Sequence, residues 1–491
     1  MFHRAVTAAA LLFAVLFASV PAARAGLPAP VSELLERANI PQEAMGSIVI
    51  RLTDGATLVS HHPGRSLQPA STMKLVSTVV GLNKLGPLFR GRTLLESGAE
   101  INNATLDGDL VLRGGADVDL NTEALQAMLQ TLRNKGIRHV RGDLLIDRSL
   151  YQPARMDIGV APFDQAPEFR YNVIPDALSL NLNLIKLDLA ADKYGLQAHM
   201  LPLMENVSLT HDMTLVDAAC KDWDNGWIAP TLERKRDKLQ IVLHGTFPRD
   251  CVRTTELNLL NRTDYADRLF RALWKQLGGS FRGQVREAVV TTPLRTLAEH
   301  RSRPLAEILR DMNKSSDNTF ARLLYLNLGT YAMDSAIAGN ATLLAREPAD
   351  TSQRAEREIR NWLRQNDIDD TGMVLENGSG LSRSERLTPA QLAGVLKAGY
   401  QSFWAPELLA SLPLGAMDGT MRSRLKDSPA AGRSRVKTGA LKNVVAVAGY
   451  VLDAQGRQCV VVGIINSDTM KGSEGRAALD GLIDWVARSG G

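Results

Sequence analysis

The stretch Ala70-Ser71-Thr72-Met73-Lys74 places a serine and a lysine three positions apart at the start of a helical segment. Pro69 precedes it, where a proline suits the entry to a helix. Apolar residues recur at helical spacing from Met73 onward, so this helix has a face for the core. Residues three apart lie on one face of a helix, one turn from each other. The pattern therefore predicts a hydroxyl within reach of an amine.

A serine hydroxyl becomes a useful nucleophile only when a neighbouring base removes its proton. Lys74 can be that base if burial or nearby positive charge lowers its pKa. The same pattern is also typical of a capping serine beside a surface lysine. The pair alone therefore does not decide the chemistry.

Two distant motifs complete a set. Ser316-Asp317-Asn318 lies at the junction of two predicted helices, and Lys437-Thr438-Gly439 lies on a late predicted strand. Ser-x-x-Lys, Ser-Asp-Asn and Lys-Thr-Gly, in this order, are the motifs of β-lactamases and penicillin-binding proteins. The combination on a helix, a loop and a strand is far more specific than any one motif.

The chain has 491 residues, enough for several domains, and a formal net charge of +4 without a basic run. Such a mild charge argues against nucleic acid or an anionic membrane surface as a partner. Residues 1–25 have a basic start, an apolar run and an Ala-x-Ala end, which is typical of a signal peptide. We therefore expect a mature chain from Gly26, with no transmembrane anchor, in the periplasm and soluble or loosely membrane-associated.

Three cysteines follow the leader: Cys220, Cys251 and Cys459. An exported chain permits disulfides. We expect a bond between Cys220 and Cys251, which share the middle region, and a buried thiol at Cys459 within a strand. No zinc motif is present, so we expect no metal site.

Hydrophobic patterning predicts a mixed α/β (α+β) fold. Two early strands (47–52 and 57–60), three late strands (434–440, 444–452 and 458–465) and a final helix predict one five-stranded antiparallel sheet flanked by helices. Between them, short strands dominate, including one predicted over 180–189. We therefore assign residues 26–92 and 296–491 to a catalytic domain, and residues 93–295 to an inserted β-rich region of two nested domains.

The chain resembles the low-molecular-mass class C penicillin-binding proteins of the D-alanyl-D-alanine carboxypeptidase/endopeptidase family. Ser71 and Ser316 are 245 positions apart, which matches that family's long insertion. Further similar segments are Arg113-Gly114-Gly115-Ala116-Asp117, Ala177-Leu178-Ser179-Leu180-Asn181 and Asn377-Gly378-Ser379-Gly380-Leu381-Ser382-Arg383. The resemblance implies a penicillin-binding/β-lactamase-like catalytic domain that needs no cofactor. It also implies peptidoglycan stem peptides and cross-links as substrates and β-lactams as covalent inhibitors.

The resemblance gives each motif residue a role. Ser71 attacks the penultimate carbonyl to form an acyl-enzyme, and Lys74 is its base, with its neutral form favoured by burial and by the second cation, Lys437. Ser316 relays the proton to the departing amine, and Asn318 orients the substrate or Lys74.

The late motif would hold the terminal carboxylate. Lys437 and Thr438 offer a charge and a hydroxyl, and Gly439 lets the substrate backbone approach the strand. The oxyanion would lie between the backbone N–H groups of Ser71 and Ala440. Ala440 stands where the family often has serine or threonine, so one carboxylate contact is missing.

Two further residues would choose the substrate. The resemblance places Asp147 at the rim of the site, facing the free amino end of the stem peptide's diamino acid. It places Arg383 against a carboxylate of the same side chain. A zwitterionic end needs one partner of each sign. On its own sequence context, Asp147 is equally well a turn or cap residue.

Two other functions are compatible with these motifs. A serine β-lactamase needs a glutamate that holds a deacylating water, and Glu376 is the candidate. A non-catalytic β-lactam or peptidoglycan-binding protein would keep the fold without turnover. The segment from Glu376 to Gly380 matches the carboxypeptidase family better than a β-lactamase, and the intact motif set argues against a non-catalytic protein.

Overall fold

The computed structural model describes residues 26–332 and 338–490, so the predicted signal peptide lies outside the described residues. The strands of the described ranges are β1 (Met45–Arg51), β2 (Thr57–His61), β3 (Arg92–Ser97), β4 (Ile101–Asn102), β5 (Thr105–Leu106), β6 (Leu110–Gly115), β7 (His139–Val140), β8 (Leu144–Asp147), β9 (Ile185–Ala191), β10 (Leu196–Leu201), β11 (Val207–His211), β12 (Thr214–Val216), β13 (Trp227–Lys235), β14 (Lys238–Pro248), β15 (Val252–Leu257), β16 (Ser280–Phe281), β17 (Val285–Glu287), β18 (Arg295–Arg301), β19 (Ser434–Leu441), β20 (Val444–Leu452) and β21 (Gln458–Asn466).

The helices of the same ranges are α1 (Ala29–Arg37), α2 (Lys74–Leu85), α3 (Thr122–Asn134), α4 (Arg262–Gln276), α5 (Leu305–Ser315), α6 (Asn318–Tyr331), α7 (Ala341–Leu344), α8 (Thr351–Gln365), α9 (Pro389–Gln401), α10 (Ala405–Ser411) and α11 (Gly472–Arg488). Within the described residues, none of these helices combines the length and the apolar character that crossing a bilayer requires.

The predicted five-stranded antiparallel sheet is confirmed, in the order β19-β20-β21-β1-β2. Side chains alternate between its faces, as the strand period requires. Val445 and Val447 of β20 pack in the core cluster that contains α1 and α11. Ala446 and Ala448 pack in the cluster that contains α2, α6 and α9. The central strands are therefore buried on both faces and read as continuous apolar runs.

The inserted region forms separate sheets. One has five strands in the order β17-β8-β6-β3-β18, and a four-stranded sheet has the order β16-β7-β5-β4. Strands β9 to β15 form further sheets among themselves, and they lie in the chain between β8 and α4. The last strand of the five-stranded inserted sheet, β18, pairs with β3 through Arg301. It therefore crosses the boundary that the sequence predicted at residue 296.

The strand predicted over 180–189 begins later than expected. Residues Leu180–Asn183 form a 3-10 turn, and β9 starts at Ile185. Asn181, Leu182 and Asn183 all have positive φ angles, between 47° and 60°. Such left-handed backbone cannot continue a strand, although the apolar alternation of these residues reads like one.

The disulfide between Cys220 and Cys251 is present, with the two Cα atoms 5.2 Å apart. Cys459 is a buried free thiol on β21, as predicted. The bond ties the turn before β13 to the start of β15, so it closes a loop within the β9–β15 unit.

Candidate active site

Ser71 lies in a 3-10 turn, Ala70–Met73, that leads directly into α2. The predicted helix is therefore present, but its first turn is tighter than an α-helix. Ala70 has a φ of 47°, a conformation that a residue with a side chain adopts at some cost and that is concentrated at functional sites. This turn presents Ser71 at the surface of a cavity, while Lys74, one turn later, is fully buried.

The amine of Lys74 contacts three oxygens. Its Nζ lies 2.9 Å from Ser71 Oγ, 2.7 Å from Asn318 Oδ1 and 2.5 Å from the backbone carbonyl of Ser379. An amide or carbonyl oxygen can only accept a hydrogen bond. A neutral amine would therefore donate its two hydrogens to Asn318 and Ser379 and turn its lone pair towards the hydroxyl of Ser71. This geometry is that of a base aimed at a nucleophile.

Burial lowers the pKa of Lys74 to about 7, although the charges of Asp317 and Glu385 act in the opposite direction. Arg322 contributes to the lowering. The sequence reasoning attributed part of this effect to Lys437, but burial is the largest cause. A base with a pKa near 7 is available as a free amine in a large fraction of molecules at neutral pH.

Ser316 ends α5 in a left-handed conformation, with φ 63° and ψ 37°. It does not cap the next helix, because Asp317 Oδ1 accepts the hydrogen bond from the N–H of Phe320. Lys437 Nζ donates to Ser316 Oγ at 2.8 Å and to the Thr438 carbonyl at 2.7 Å. Burial, with a smaller effect of the Lys74 charge, holds the pKa of Lys437 well below its ordinary value.

Gly439 lies on β19, an edge strand, directly against the turn that holds Ser71. A Cβ at this position would lie 2.9 Å from the Pro69 carbonyl oxygen and 3.0 Å from both Ala70 Cβ and Ser71 N. The sequence analysis predicted that this glycine lets the substrate backbone approach the strand. In the structure, the close neighbour is the nucleophile's own turn, so Gly439 brings the backbone of Ser71 and of β19 together.

The loop over residues 376–385 supplies contacts that the motifs did not reveal. Glu385 is fully buried, and its carboxylate accepts hydrogen bonds from the backbone N–H groups of Asn377, Gly378 and Gly380 at 2.9–3.0 Å. Burial raises its pKa, against the effect of these hydrogen bonds. The loop thereby aims the Ser379 carbonyl at Lys74, and no sequence motif marks a backbone carbonyl.

Thr420 is a second partner that sequence reasoning missed. Thr438 Oγ1 donates to Thr420 Oγ1 at 2.8 Å. Thr420 comes from a short 3-10 turn, Gly419–Met421, that packs beside α5. The hydroxyl of Thr438 is therefore oriented by a residue that lies outside the three motifs.

Ser71 opens into a cavity of about 580 Å³. Residues from all three motifs or their immediate neighbours line it, together with residues of the insertion and of the loop after Glu376. The lining residues are Gln68, Ser71, Phe163, Asp164, Tyr171, Ser316, Asn318, Leu381, Arg383, Ala440, Leu441 and Lys442. The cavity therefore holds the nucleophile, the edge strand and side chains of both charges.

The structure does not place Asp147 at the rim of this cavity. Asp147 is fully buried at the end of β8 and pairs with Arg113 Nη1 at 2.5 Å. Its oxygens also accept from the N–H groups of Ser149 and Val290. Arg113 lies on β6, while Ser149 and Val290 follow β8 and β17 in the chain, so the carboxylate points into the inserted unit. The predicted position of Asp147 is wrong, and its alternative as a structural residue agrees with its contacts.

The acidic side chain of the cavity is Asp164. Burial acts to raise its pKa, but hydrogen bonds from Tyr171, Ala166 and Asn172 lower it on balance. Arg383 lies in the same cavity. Its guanidinium stacks over the Phe163 ring at 4.7 Å and donates to the Phe163 carbonyl at 3.1 Å.

Glu376, the candidate water-holding residue of a β-lactamase, is engaged elsewhere. Its Oε2 accepts hydrogen bonds from the hydroxyls of Ser382 and Ser384. It lines a neighbouring cavity that does not contain Ser71. Among the described residues, no cluster of histidine, cysteine, aspartate or glutamate side chains could hold a metal ion.

The chain is similar to known proteins over most of its length. The model of the D-Ala-D-Ala carboxypeptidase 3 (S13) family matches residues 27–486. The D-alanyl-D-alanine carboxypeptidase DacB of Haemophilus influenzae is 26% identical over 448 residues, covering 89% of this chain and 88% of that protein. A D-alanyl-D-alanine carboxypeptidase of an Actinomadura species is 27% identical over 447 residues, covering 87% of this chain and 78% of that protein.

A solved structure shares the fold. The crystal structure of penicillin binding protein 4 (dacB) from Haemophilus influenzae superposes with a TM-score of 0.74 at 24% identity. The match covers 92% of this chain and 97% of that chain. The inserted β-rich units are therefore part of the shared fold, since the match extends over nearly the whole of both chains.

Proposed function

The chain belongs to the D-Ala-D-Ala carboxypeptidase 3 (S13) family, and we propose that its serine-type carboxypeptidase activity runs through an acyl-enzyme on Ser71. One observation carries this assignment. Lys74 Nζ lies 2.9 Å from Ser71 Oγ, while its other two partners are oxygens that can only accept. The lone pair of the neutral amine therefore has one remaining direction, towards the hydroxyl.

Acylation begins with the transfer of the Ser71 proton to Lys74. Ser71 Oγ attacks the carbonyl carbon of the penultimate D-alanine and forms a tetrahedral intermediate. The backbone N–H groups of Ser71 and Ala440 stabilise its oxyanion. This assignment is supported by Gly439, which allows β19 to lie against the Ser71 turn. Losing one such donor typically costs about 10²–10³ in rate.

The C–N bond then breaks, and the terminal D-alanine leaves after its nitrogen gains a proton. Ser316 passes that proton from the Lys74 ammonium, which returns Lys74 to its neutral form. This role is supported by its hydroxyl, which lies in the cavity with Ser71 and accepts a hydrogen bond from Lys437 at 2.8 Å. Lys437 and Thr438 recognise the terminal carboxylate. Water then attacks the ester on Ser71, with Lys74 again as base, and releases the shortened peptide.

We propose that peptidoglycan stem peptides and their cross-links are the substrates, and that β-lactams acylate the same serine. The named relatives are D-alanyl-D-alanine carboxypeptidases, which supports this substrate class. Asp164 and Arg383 offer one charge of each sign in the cavity, as a zwitterionic side-chain end requires. The periplasm is the proposed compartment, supported by the leader-like residues 1–25 and by the disulfide.

The test uses purified protein and a diacetylated peptide that ends in D-Ala-D-Ala. We expect release of one equivalent of D-alanine per peptide, and a single mass adduct after treatment with benzylpenicillin. Ser71→Ala should abolish both, while Ser77→Ala on the same helix should keep the adduct. An adduct that persists in Ser71→Ala would falsify the assignment.

Cross-link cleavage needs its own measurement. Incubation with isolated peptidoglycan, followed by identification of the soluble muropeptides, should show dimers converted to monomers. If only the terminal D-alanine is lost and dimers persist, the enzyme is a carboxypeptidase without endopeptidase activity.

A further inference from the structure

A turn of the insertion lies against the start of α6, where the second motif is located. This turn is the 3-10 segment Arg170–Asn172. The Tyr171 carbonyl accepts a hydrogen bond of 3.0 Å from Asn318 Nδ2. The Asn172 carbonyl accepts one of 3.1 Å from Arg322 Nη1. The backbone of the insertion therefore fixes the amide of Asn318 with its oxygen towards Lys74.

Arg170 is the charged residue of this turn. Its Nε and Nη2 donate to Asp317 Oδ2 at 3.1 Å and 2.9 Å. Its Nη1 donates to Glu256, which lies on β15 of the β9–β15 unit. The Asp317 side chain is only 8% exposed, and its other oxygen caps α6. Arg170 is the ion-pair partner of Asp317 among the described residues.

The position of Asp317 makes this pairing matter for the base. Four charged side chains face the Lys74 amine. They are Asp317 at the N-cap of α6, Arg322 within α6, Glu385 of the loop over 376–385 and Lys437 of β19. The Asp317 carboxylate favours the charged form of Lys74. A guanidinium that pairs with this carboxylate offsets part of its field at the amine.

We propose that Arg170 is a positioning residue for acylation, which holds Asp317 and Asn318 in place and offsets the Asp317 charge that faces the Lys74 amine. The proposal gives the insertion a part in the chemistry, because Arg170 and its second partner Glu256 both belong to it. It rests on the proposed role of Lys74 as the base.

The test is the pH profile of kcat/KM for Arg170→Gln. Without the guanidinium, the Asp317 charge acts on Lys74 undiminished and stabilises the ammonium. We expect the ascending limb to move up by about one pH unit. Activity at pH 7 should then fall about fivefold, while activity above pH 9 should largely recover. Arg170→Lys should keep most of the wild-type profile because it retains the charge.

A double variant separates charge from structure. In Arg170→Gln/Asp317→Asn the uncompensated carboxylate is gone, and asparagine still caps a helix well. We expect its ascending limb to return to the wild-type position or slightly below it, because Arg170 offsets only part of the Asp317 field. Arg249→Gln is the control for net charge, since Arg249 is half-exposed and pairs with Asp217 on the insertion. It should leave the profile unchanged.

Two outcomes would overturn the proposal. A profile of Arg170→Gln that coincides with the wild type would remove any role for the residue. A uniform loss at all pH values, not restored in the double variant, would leave Arg170 with a structural role only. Failure of the proposed function is distinguishable, because Ser71→Ala would then retain activity whatever Arg170 does.

Discussion

Lys437 Nζ donates a hydrogen bond of 2.8 Å to Ser316 Oγ, so the late strand and the turn between α5 and α6 meet at one hydroxyl. Burial holds the pKa of Lys437 well below its ordinary value. An arriving carboxylate would raise the pKa of Lys437, because an opposite charge stabilises the ammonium. Binding of the terminal carboxylate and orientation of Ser316 are therefore coupled through one side chain.

The two lysines should fail in different ways. Lys74→Ala removes the base, so we expect acylation by peptide and by benzylpenicillin to fall by at least about 10²-fold. Lys437→Ala removes a carboxylate partner, so KM should rise more than kcat falls. Stopped-flow acylation at saturating substrate measures the difference, and equal residual rates in the two variants would contradict the division of roles.

The activity should depend on pH through Lys74. Its pKa is lowered to about 7, and the reactive form is the free amine. The value of kcat/KM should therefore rise with pH up to about 7 and fall about tenfold per unit on the acidic side. A profile that stays flat from pH 5 to pH 8 would show that another group is the base.

Gly439→Ala tests the contact between β19 and the nucleophile. The added Cβ would lie 3.0 Å from Ser71 N and 2.9 Å from the Pro69 carbonyl oxygen, so the strand or the turn must shift. We expect the acylation rate to fall by about 10²–10³, as when an oxyanion donor is misplaced. Gly64→Ala, at an exposed turn where no atom lies within 4 Å of an added Cβ and φ is not positive, is the matched control. It should keep the wild-type rate.

Asp164 and Asp147 form a matched pair for substrate choice. Asp164→Asn should lower kcat/KM for stem peptides with a free side-chain amine and hardly change it for a diacetylated peptide, because the charge facing the amine is lost. Asp147→Asn should leave this discrimination unchanged and lower the melting temperature, because it weakens the buried pair with Arg113. The opposite pattern would return the substrate role to Asp147.

The disulfide should contribute to stability. Its two cysteines are 31 residues apart, and closing such a loop is worth about 3–4 kcal/mol in the chain-entropy model. The double variant Cys220→Ser/Cys251→Ser should unfold at a lower denaturant concentration. Its free energy of unfolding should be lower than that of the wild type by about that amount. Cys459→Ser is the control that removes a thiol without a cross-link, and a disulfide variant as stable as the wild type would contradict the expectation.

Sequence reasoning was most successful where a pattern is local. The alternation along β20 and β21 and the spacing of Ser71 and Lys74 depend only on residues that are neighbours in the chain. The five-stranded sheet, the disulfide pair and the family followed from such patterns and from the order of three motifs. The strand predicted at residue 180 failed because left-handed backbone at Asn181 is not visible in an apolar alternation.

By itself, the sequence predicted which side chains carry the chemistry, because three short motifs in a fixed order name them. Only the tertiary structure decided which groups surround them. The Ser379 carbonyl and the Tyr171 carbonyl are backbone atoms without a sequence signature, and each comes to the site from a distant segment. The sequence alone does not distinguish Asp147 from Asp164 as the acidic residue that would face the substrate amine. Packing of the inserted sheet turns the first towards Arg113, while the second lies in the cavity with Ser71.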